Sequence, residues 1–510
     1  MTTQKVKLKK IFIGEIDGES EAIKRHDFEN LFFNQNNNYQ KLLSGESFLI
    51  KGRKGTGKTY LAKYLNLKIN SMNNQTCKIC DSSSFNLQRL IDIKGRDFIK
   101  GEHEFFWEWI ILLHFSDVIL ENHRIISHIP FTKINKLYKF KKNKYPNPES
   151  VFENISYSKT YSESKKASAN VNDFPLSASL DSSSTYSSTH QQKEYYKNLR
   201  FLHDLVIDIL CTNCNITLIY DDLDSIEANT HIDMFYIDLL SGLIKTVKKL
   251  NLEISAKGST NSKIILALRD DILSYMQDYN TNLNKLISSH FVDLNWLDKV
   301  NPSEPYKHPL MNLILSKIKK STIEYSNITN KKLYELLFPK KIRDKDAIYY
   351  LLDHSFGRPR DIIKFLNIIQ AKHGSSFDFK PKYFSSCMKD YSNWFYDELR
   401  NEISIHNNSD FLRESLELVK NIRKIHFKID DAINVYVSNS QSYPNIQNVN
   451  EAIISMYKLG VIGNSWQTMS NSNTTKYHHS WSYRCDADSE PDFSKDFVVH
   501  SALRKRFSLY

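Results

Sequence analysis

Along the first half of the chain, apolar residues gather into short unbroken runs separated by longer stretches of helical spacing. Residues 47–51 (SFLIK) form a short apolar run that stops at Gly52, as a buried strand feeding a loop does. From Thr59 the spacing turns helical, with Leu61, Ala62 and Leu65 on one side. The stretch 105–120 is apolar but interrupted by Glu108, His114 and Asp117. It is too short and too polar to span a bilayer and reads as a buried helix. A helix is predicted over 201–210, and apolar strands over 216–220, 264–268 and 291–294. Strands that alternate with helices predict a parallel α/β sheet.

Beyond about residue 298 the pattern becomes mainly helical, and beyond about 400 a third region begins. There, 451–459 (EAIISMYKL) reads as a short helix closed by Gly460. A strand starts at 461–463, a long polar loop follows, and 480–484 reads as the returning strand. The domain organisation expected is a polar extension at 1–45, an α/β core at 46–298, a helical segment at 299–400 and a C-terminal domain at 401–510. The Ser/Thr-rich stretch 156–192 contributes no core and reads as an insertion.

Composition changes this picture little. The chain has 510 residues, 41% of them hydrophobic, and a formal charge of +11. Such a balance permits a polyanionic partner such as DNA without requiring one. Residues 133–148 are basic with Tyr138, Phe140 and Tyr145 interleaved, a composition found on phosphate-tracking surfaces and, more commonly, on amphipathic helices. The basic N-terminus is followed by no apolar core of a signal peptide, so a cytoplasmic protein with no membrane partner is the expectation. Six cysteines in this length do not make a disulfide scaffold. Two CxxC pairs, Cys77/Cys80 and Cys211/Cys214, have zinc-like spacing, but in a strand positions three apart face opposite ways. Buried thiols are the simpler reading.

The chemistry enters at 52–59, GRKGTGKT, which fits G-x-x-x-x-G-K-[ST] at every fixed position between a strand and a helix. Gly52, Gly55 and Gly57 let the backbone wrap closely, so that N–H groups, Thr56 included, face phosphate oxygens. The start of the following helix adds partial positive charge. Lys58 would reach the β- and γ-phosphates, and Thr59 would hold Mg²⁺ through its hydroxyl. A second, acidic element is needed, and 216–224 (ITLIYDDLD) supplies it at a strand's carboxyl end. Asp221 would support Mg²⁺ and Asp222 would orient or activate water, with Asp224 an alternative for either role. Arg269 ends the next strand, where a cation can read the γ-phosphate or pair with Asp270 or Asp271. His354–Asp361 (HSFGRPRD) opens a helix whose Arg358 and Arg360 would project from its start, as a phosphate contact or a surface pair. No guanine-reading element follows, so ATP is preferred over GTP.

These motifs together resemble the AAA+/STAND side of the P-loop NTPases. More closely, IGEIDGESEA at 13–22, GRKGTGKT, YDDLD, ALRDD at 267–271, LNWL at 294–297 and GRPRD at 357–361 are similar to a family of bacterial P-loop ATPases. The resemblance implies a three-layer α/β P-loop NTPase core with a helical lid, in which Arg269 is sensor-1-like and Arg360 sensor-2-like. Asp222 stands where AAA+ enzymes usually carry Glu, which suits slow turnover. No arginine finger is assigned; Lys285 is in position only by sequence order. The C-terminal region resembles a winged helix, although the charges of its 451–459 helix, Glu451 and Lys458, cancel. An ATP-driven switch or motor is therefore expected, and families of this architecture serve in DNA transactions or defence against phage. Its partners would be DNA, a protein effector or further copies of the chain. A regulator or scaffold that uses ATP as a conformational ligand, with negligible turnover, is the alternative.

Overall fold

The computed structural model describes residues 4–81, 102–127, 129–144, 198–212, 214–223, 234–257, 260–279, 289–406, 408–469, 475–484 and 490–509. The 156–192 insertion, Tyr145, Asp224 and Lys285 lie outside the described residues. The chain divides into two compact units. One comprises Asn36–Arg53 and Lys58–Asp293; the other comprises Met1–Gln35, Lys54–Gly57 and Leu294–Tyr510.

The first unit is built on a five-stranded parallel sheet: β1 (Leu49–Gly52), β2 (Gln75–Asp81), β3 (Asn215–Asp221), β4 (Lys263–Arg269) and β5 (Phe291–Asp293), in the order β2-β3-β4-β1-β5. The apolar runs of β3 and β4 are buried along almost their whole length, the composition a strand needs when both sheet faces are covered. The same covering accounts for the CKIC segment: Cys77 and Cys80, on opposite faces of β2, are both buried free thiols. Burial pushes the Cys80 thiol up to about 12 and that of Cys77 higher.

The interrupted apolar stretch is the helix Glu102–Glu121, buried almost all round. It packs on the helix Met234–Ala256, where Trp107 Nε1 donates to the Leu239 carbonyl at 2.8 Å. Its polar interruptions are paired: Glu108 meets Lys249 at 3.0 Å, and His114 Nδ1 lies 2.7 Å from the Tyr220 hydroxyl. Among the described residues no helix is long and apolar enough to cross a membrane. The basic segment forms the helix Phe131–Lys144, which buries Leu137 and Phe140. Lys141 pairs with Asp117 and Lys133 with Asp208 (2.6 Å), so part of its charge is used internally.

The second unit opens with the N-terminal residues, which are more than a polar lead-in. Val6, Leu8, Ile11 and Ile13 are buried in the same hydrophobic cluster as the helices after residue 308. Gln370 Nε2 donates to the Leu8 and Ile11 carbonyls, and Leu8 N–H to Ser376 at 2.7 Å. Glu21 and Lys317, both buried, form an ion pair. Five helices follow: Pro309–Ser321, Asn330–Leu337, Ala347–Asp353, Pro359–His373 and Pro381–Ile403. Their hydrophobic cluster continues beyond residue 400 without a break. Phe356, for instance, lies 5.2 Å from the Tyr483 ring and 5.0 Å from that of His500.

The C-terminal segment adds the helices Ser409–Asn421, Ile429–Ser438 and Val449–Lys458 and a four-stranded antiparallel sheet. Its strands are β6 (His426–Phe427), β7 (Ile462–Met469), β8 (Thr475–Ser480) and β9 (Asp496–Val499), in the order β6-β9-β7-β8. The returning strand lies at 475–480, earlier than the 480–484 expected. Register with β7 sets it: Asn464 pairs with Ser480 and Trp466 with His478, whose rings stack at 5.4 Å. Residues after Ser480 turn inward instead, and Trp481 is buried. The Val449–Lys458 helix buries Ala452, Ile453, Met456 and Tyr457 and exposes Glu451 and Lys458.

Both units carry a neutral buried imidazole. Burial pushes His114 down to about 3 and His354 down to about 4, from an ordinary 6.5. Between pH 6.5 and these values the unfolded chain binds protons that the folded chain does not. Stability is therefore full above about pH 6.5 and falls as pH drops through that window, by about 3 kcal/mol for His354 at its low end. Urea unfolding midpoints at pH 7 and pH 4.5 check this, and His354→Gln is expected to flatten part of the dependence.

Candidate functional site

Parallel pairing brings the carboxyl ends of the first unit's strands to one edge of the sheet. Gly52 at the end of β1 is in register with Arg269 at the end of β4. On the other side of β4, Tyr220 is in register with Leu266, so Asp221 ends β3 beside Ala267, two residues, or about 7 Å, before Arg269. Asp81 pairs with Asp221 from β2. β4 thus stands between the strand that feeds the glycine-rich loop and the strand that carries the aspartates. At the usual strand spacing, those two are separated by about 10 Å across the sheet.

Each polar residue at this edge has a distinct setting. Lys58 and Thr59 are the first residues of the helix Lys58–Ser71, both partly buried. Lys58 Nζ donates to the carbonyls of Gly52 (3.0 Å) and Arg53 (3.3 Å), which keeps the ammonium over the loop's entry. Asp221 is buried, whereas Asp222 is exposed and left-handed at φ 54. Aspartate tolerates that region better than most residues, yet the conformation still costs energy and turns the chain sharply at the strand end. The turn is anchored just beyond, where the Tyr236 hydroxyl donates to the Leu223 carbonyl at 2.6 Å. Arg269 is nearly buried and engaged by Asp271, Nε to Oδ1 at 3.0 Å, while Asp270 pairs with Lys51 at 2.9 Å. Of the two settings weighed for Arg269, the ion pair is the one present.

The tip of the loop, Lys54–Gly57, belongs to the second unit. Gly55 and Gly57 have φ values of 84 and 103, a region that glycine enters without a steric penalty. At Gly55 the space is also taken, because a Cβ there would lie 3.1 Å from Arg360 Cβ. The LNWL and GRPRD segments meet in this unit as well. Gly357, at φ 68, is packed so closely by Leu297 that a Cβ would lie 2.3 Å from the leucine Cδ2. Trp296 Nε1 donates to the Thr56 carbonyl at 2.8 Å.

The two arginines of GRPRD differ. Arg358 is buried and ion-paired with Asp361 and Glu402, so it is neither a surface pair nor a projecting group. Arg360 is partly buried, with Nη1 3.2 Å from Glu398. Its buried Nε has no hydrogen-bond partner among the described residues. Trp296 belongs to the LNWL motif, but no role was legible for it, and Glu398 and Glu402 carry no motif at all. Asp361 follows Arg358 at i+3, a spacing that signals a helical pair. The glutamates lie roughly 40 residues away on another helix and carry no sequence signal.

A family model described as FunZ_C, the FunZ-associated C-terminal helical domain, matches residues 308–400. The match spans the five helices from Pro309 to Ile403 almost completely and includes Arg358, Arg360 and Glu398. No curated protein sequence matches the chain.

The left-handed backbone at Asp222 makes a direct prediction. Asp222→Ala should be less stable than Asp222→Gly by about 1 kcal/mol, since both lose the carboxylate and only alanine pays the Cβ penalty. Urea denaturation of the two variants side by side measures the difference.

Proposed function

We propose that the chain is an ATP-binding and ATP-hydrolysing switch or motor of the AAA+/STAND kind, with the glycine-rich loop as its phosphate site. The observation that carries this reading is the shared sheet edge, where the strand ends bearing Gly52, Arg269 and Asp221 lie side by side. A cation, two carboxylates and a loop-to-helix junction along one edge are what phosphoryl transfer to water requires.

In this proposal Lys58 binds the β- and γ-phosphates, exchanging its loop carbonyls for phosphate oxygens. Thr59 and Asp221 offer oxygen donors of the type a hard divalent cation takes, and Mg²⁺ held there would neutralise charge that builds on the phosphates. Asp222, exposed at the strand end, orients water for attack on the γ-phosphorus. Its side chain is shorter than the glutamate usual in such sites, which suits slow turnover. Arg269 leaves Asp271 to read the γ-phosphate, and Arg360, whose buried Nε has no hydrogen-bond partner among the described residues, takes the sensor-2-like role of the helical lid.

The output is assigned to the C-terminal region, read as winged-helix-like. Protein docking is favoured over DNA reading, because the exposed charges of the Val449–Lys458 helix are one acid and one base. A DNA reader needs net positive charge on the element it inserts.

Lys58→Ala is expected to abolish nucleotide binding in a calorimetric titration, and retained affinity would overturn the phosphate-site assignment. Asp222→Asn is expected to keep binding and lose steady-state ATP hydrolysis by a factor of about 100 or more. An unchanged rate would move water orientation to another carboxylate. Addition of duplex DNA is expected to leave turnover unchanged; stimulation would favour DNA over a protein partner.

A further inference from the structure

The tip of the glycine-rich loop is fastened from outside the loop. Three consecutive carbonyls each meet a donor: Lys54 receives Arg358 Nη1 at 3.1 Å, Gly55 the Arg360 backbone N–H at 3.4 Å, and Thr56 the Trp296 indole at 2.8 Å. The described residues contain no cis peptide bond. In a planar trans peptide a carbonyl and the following N–H point opposite ways. The N–H groups of Gly55, Thr56 and Gly57 are therefore each turned away from the donor that holds the preceding carbonyl. The three fastenings together fix which way the peptide planes of the loop's tip face.

Arg358 is the hub of this fastening. Its guanidinium bonds Asp361 through Nε at 3.0 and 3.1 Å, and Nη1 meets both Glu402 and the Lys54 carbonyl. The arginine and Asp361 are 2% and 0% exposed, and Glu402 is 8%. One cation thus stands between two carboxylates in a setting that water does not screen. The planar fork of arginine satisfies three acceptors at once, which a lysine ammonium on a flexible stem does not. Glu402 lies at the end of the helix Pro381–Ile403 that leads into the C-terminal segment.

We infer that Arg358 is a positioning residue that orders the loop's tip by holding the Lys54 carbonyl and, through Glu402, makes that order depend on the helix Pro381–Ile403. A displacement at the end of that helix would loosen the loop, and an ordered loop would hold the helix in place. A loosened loop is expected to bind ATP more weakly, and that effect rests on the function proposed above; the effect on loop order does not, since it is measurable without ligand.

The test is hydrogen–deuterium exchange of the full chain without nucleotide, followed by ATP titration, for the wild type, Arg358→Met, Arg358→Lys and Glu402→Gln. Exchange in the peptide covering Gly52–Thr59 is expected to rise about tenfold in Arg358→Met, the ratio set by one lost hydrogen bond to a charged group. Arg358→Lys should fall between that variant and the wild type. Glu402→Gln, which leaves the arginine in place, should raise exchange severalfold in the same peptide while peptides from β3 and β4 stay as in the wild type. Should Arg358→Met fail to fold, the lysine and glutamine variants decide the matter. Wild-type loop exchange in Arg358→Lys and Glu402→Gln overturns the inference. A wild-type chain that binds no ATP overturns the proposed function, and the ligand-free exchange then decides this inference alone.

Discussion

Burial of β3 and β4 on both faces is the constraint on which the candidate site depends. A strand with no exposed face must be apolar throughout, so charged residues are pushed to its ends. ITLIY is followed at once by two aspartates, and IILAL by an arginine and two aspartates. Parallel pairing then removes the remaining freedom, because every strand runs the same way and every end of one kind reaches one edge. Charges that local sequence merely excludes from the core are gathered by topology. The outcome is a row of ionisable groups along an otherwise apolar sheet.

Buried charge plays the opposite part in the second unit. There Arg358, Asp361 and Glu402 lie inside the fold, and Lys317 with Glu21 makes a second buried pair. Burying such groups is costly, and well-packed apolar replacements are often as stable or more so. What charged clusters add is geometric specificity, since each partner must lie within hydrogen-bond reach of the others. Here the specificity falls on the loop's tip and on the N-terminal residues 13–22, where Glu21 lies on the short helix Gly18–Lys24. Both are held by residues from helices far along the chain.

Much of the first unit was legible in the sequence. All four expected apolar runs match β1, β3, β4 and β5 within two residues at each end, because buried strands announce themselves by continuous hydrophobicity. The CKIC segment is in a strand, with both thiols buried. The site is less evenly legible. Lys58, Thr59, Asp221, Asp222 and Arg269 stand at one sheet edge as the motif spacing suggested, but the ion pair of Arg269 with Asp271 was only one of two readings. The projecting role given to Arg358 fails, since its partner Glu402 lies on another helix and leaves no local trace.

The C-terminal sheet shows where periodicity runs out. β6 has two residues and β9 four, too few for alternation to register, and β8 is almost wholly polar. Its position is decided by pairing with β7 rather than by its own composition. The N-terminal residues are a similar case: four scattered apolar side chains at 6, 8, 11 and 13 look like a lead-in until helices more than 300 residues away cover them. By itself the sequence determined which segments must be buried strands or helices and where glycine must relieve the backbone, because these depend on neighbours along the chain. Only the tertiary structure decided which charges meet, which arginine is buried and what holds the loop's tip, because those depend on contacts between residues that local sequence cannot relate.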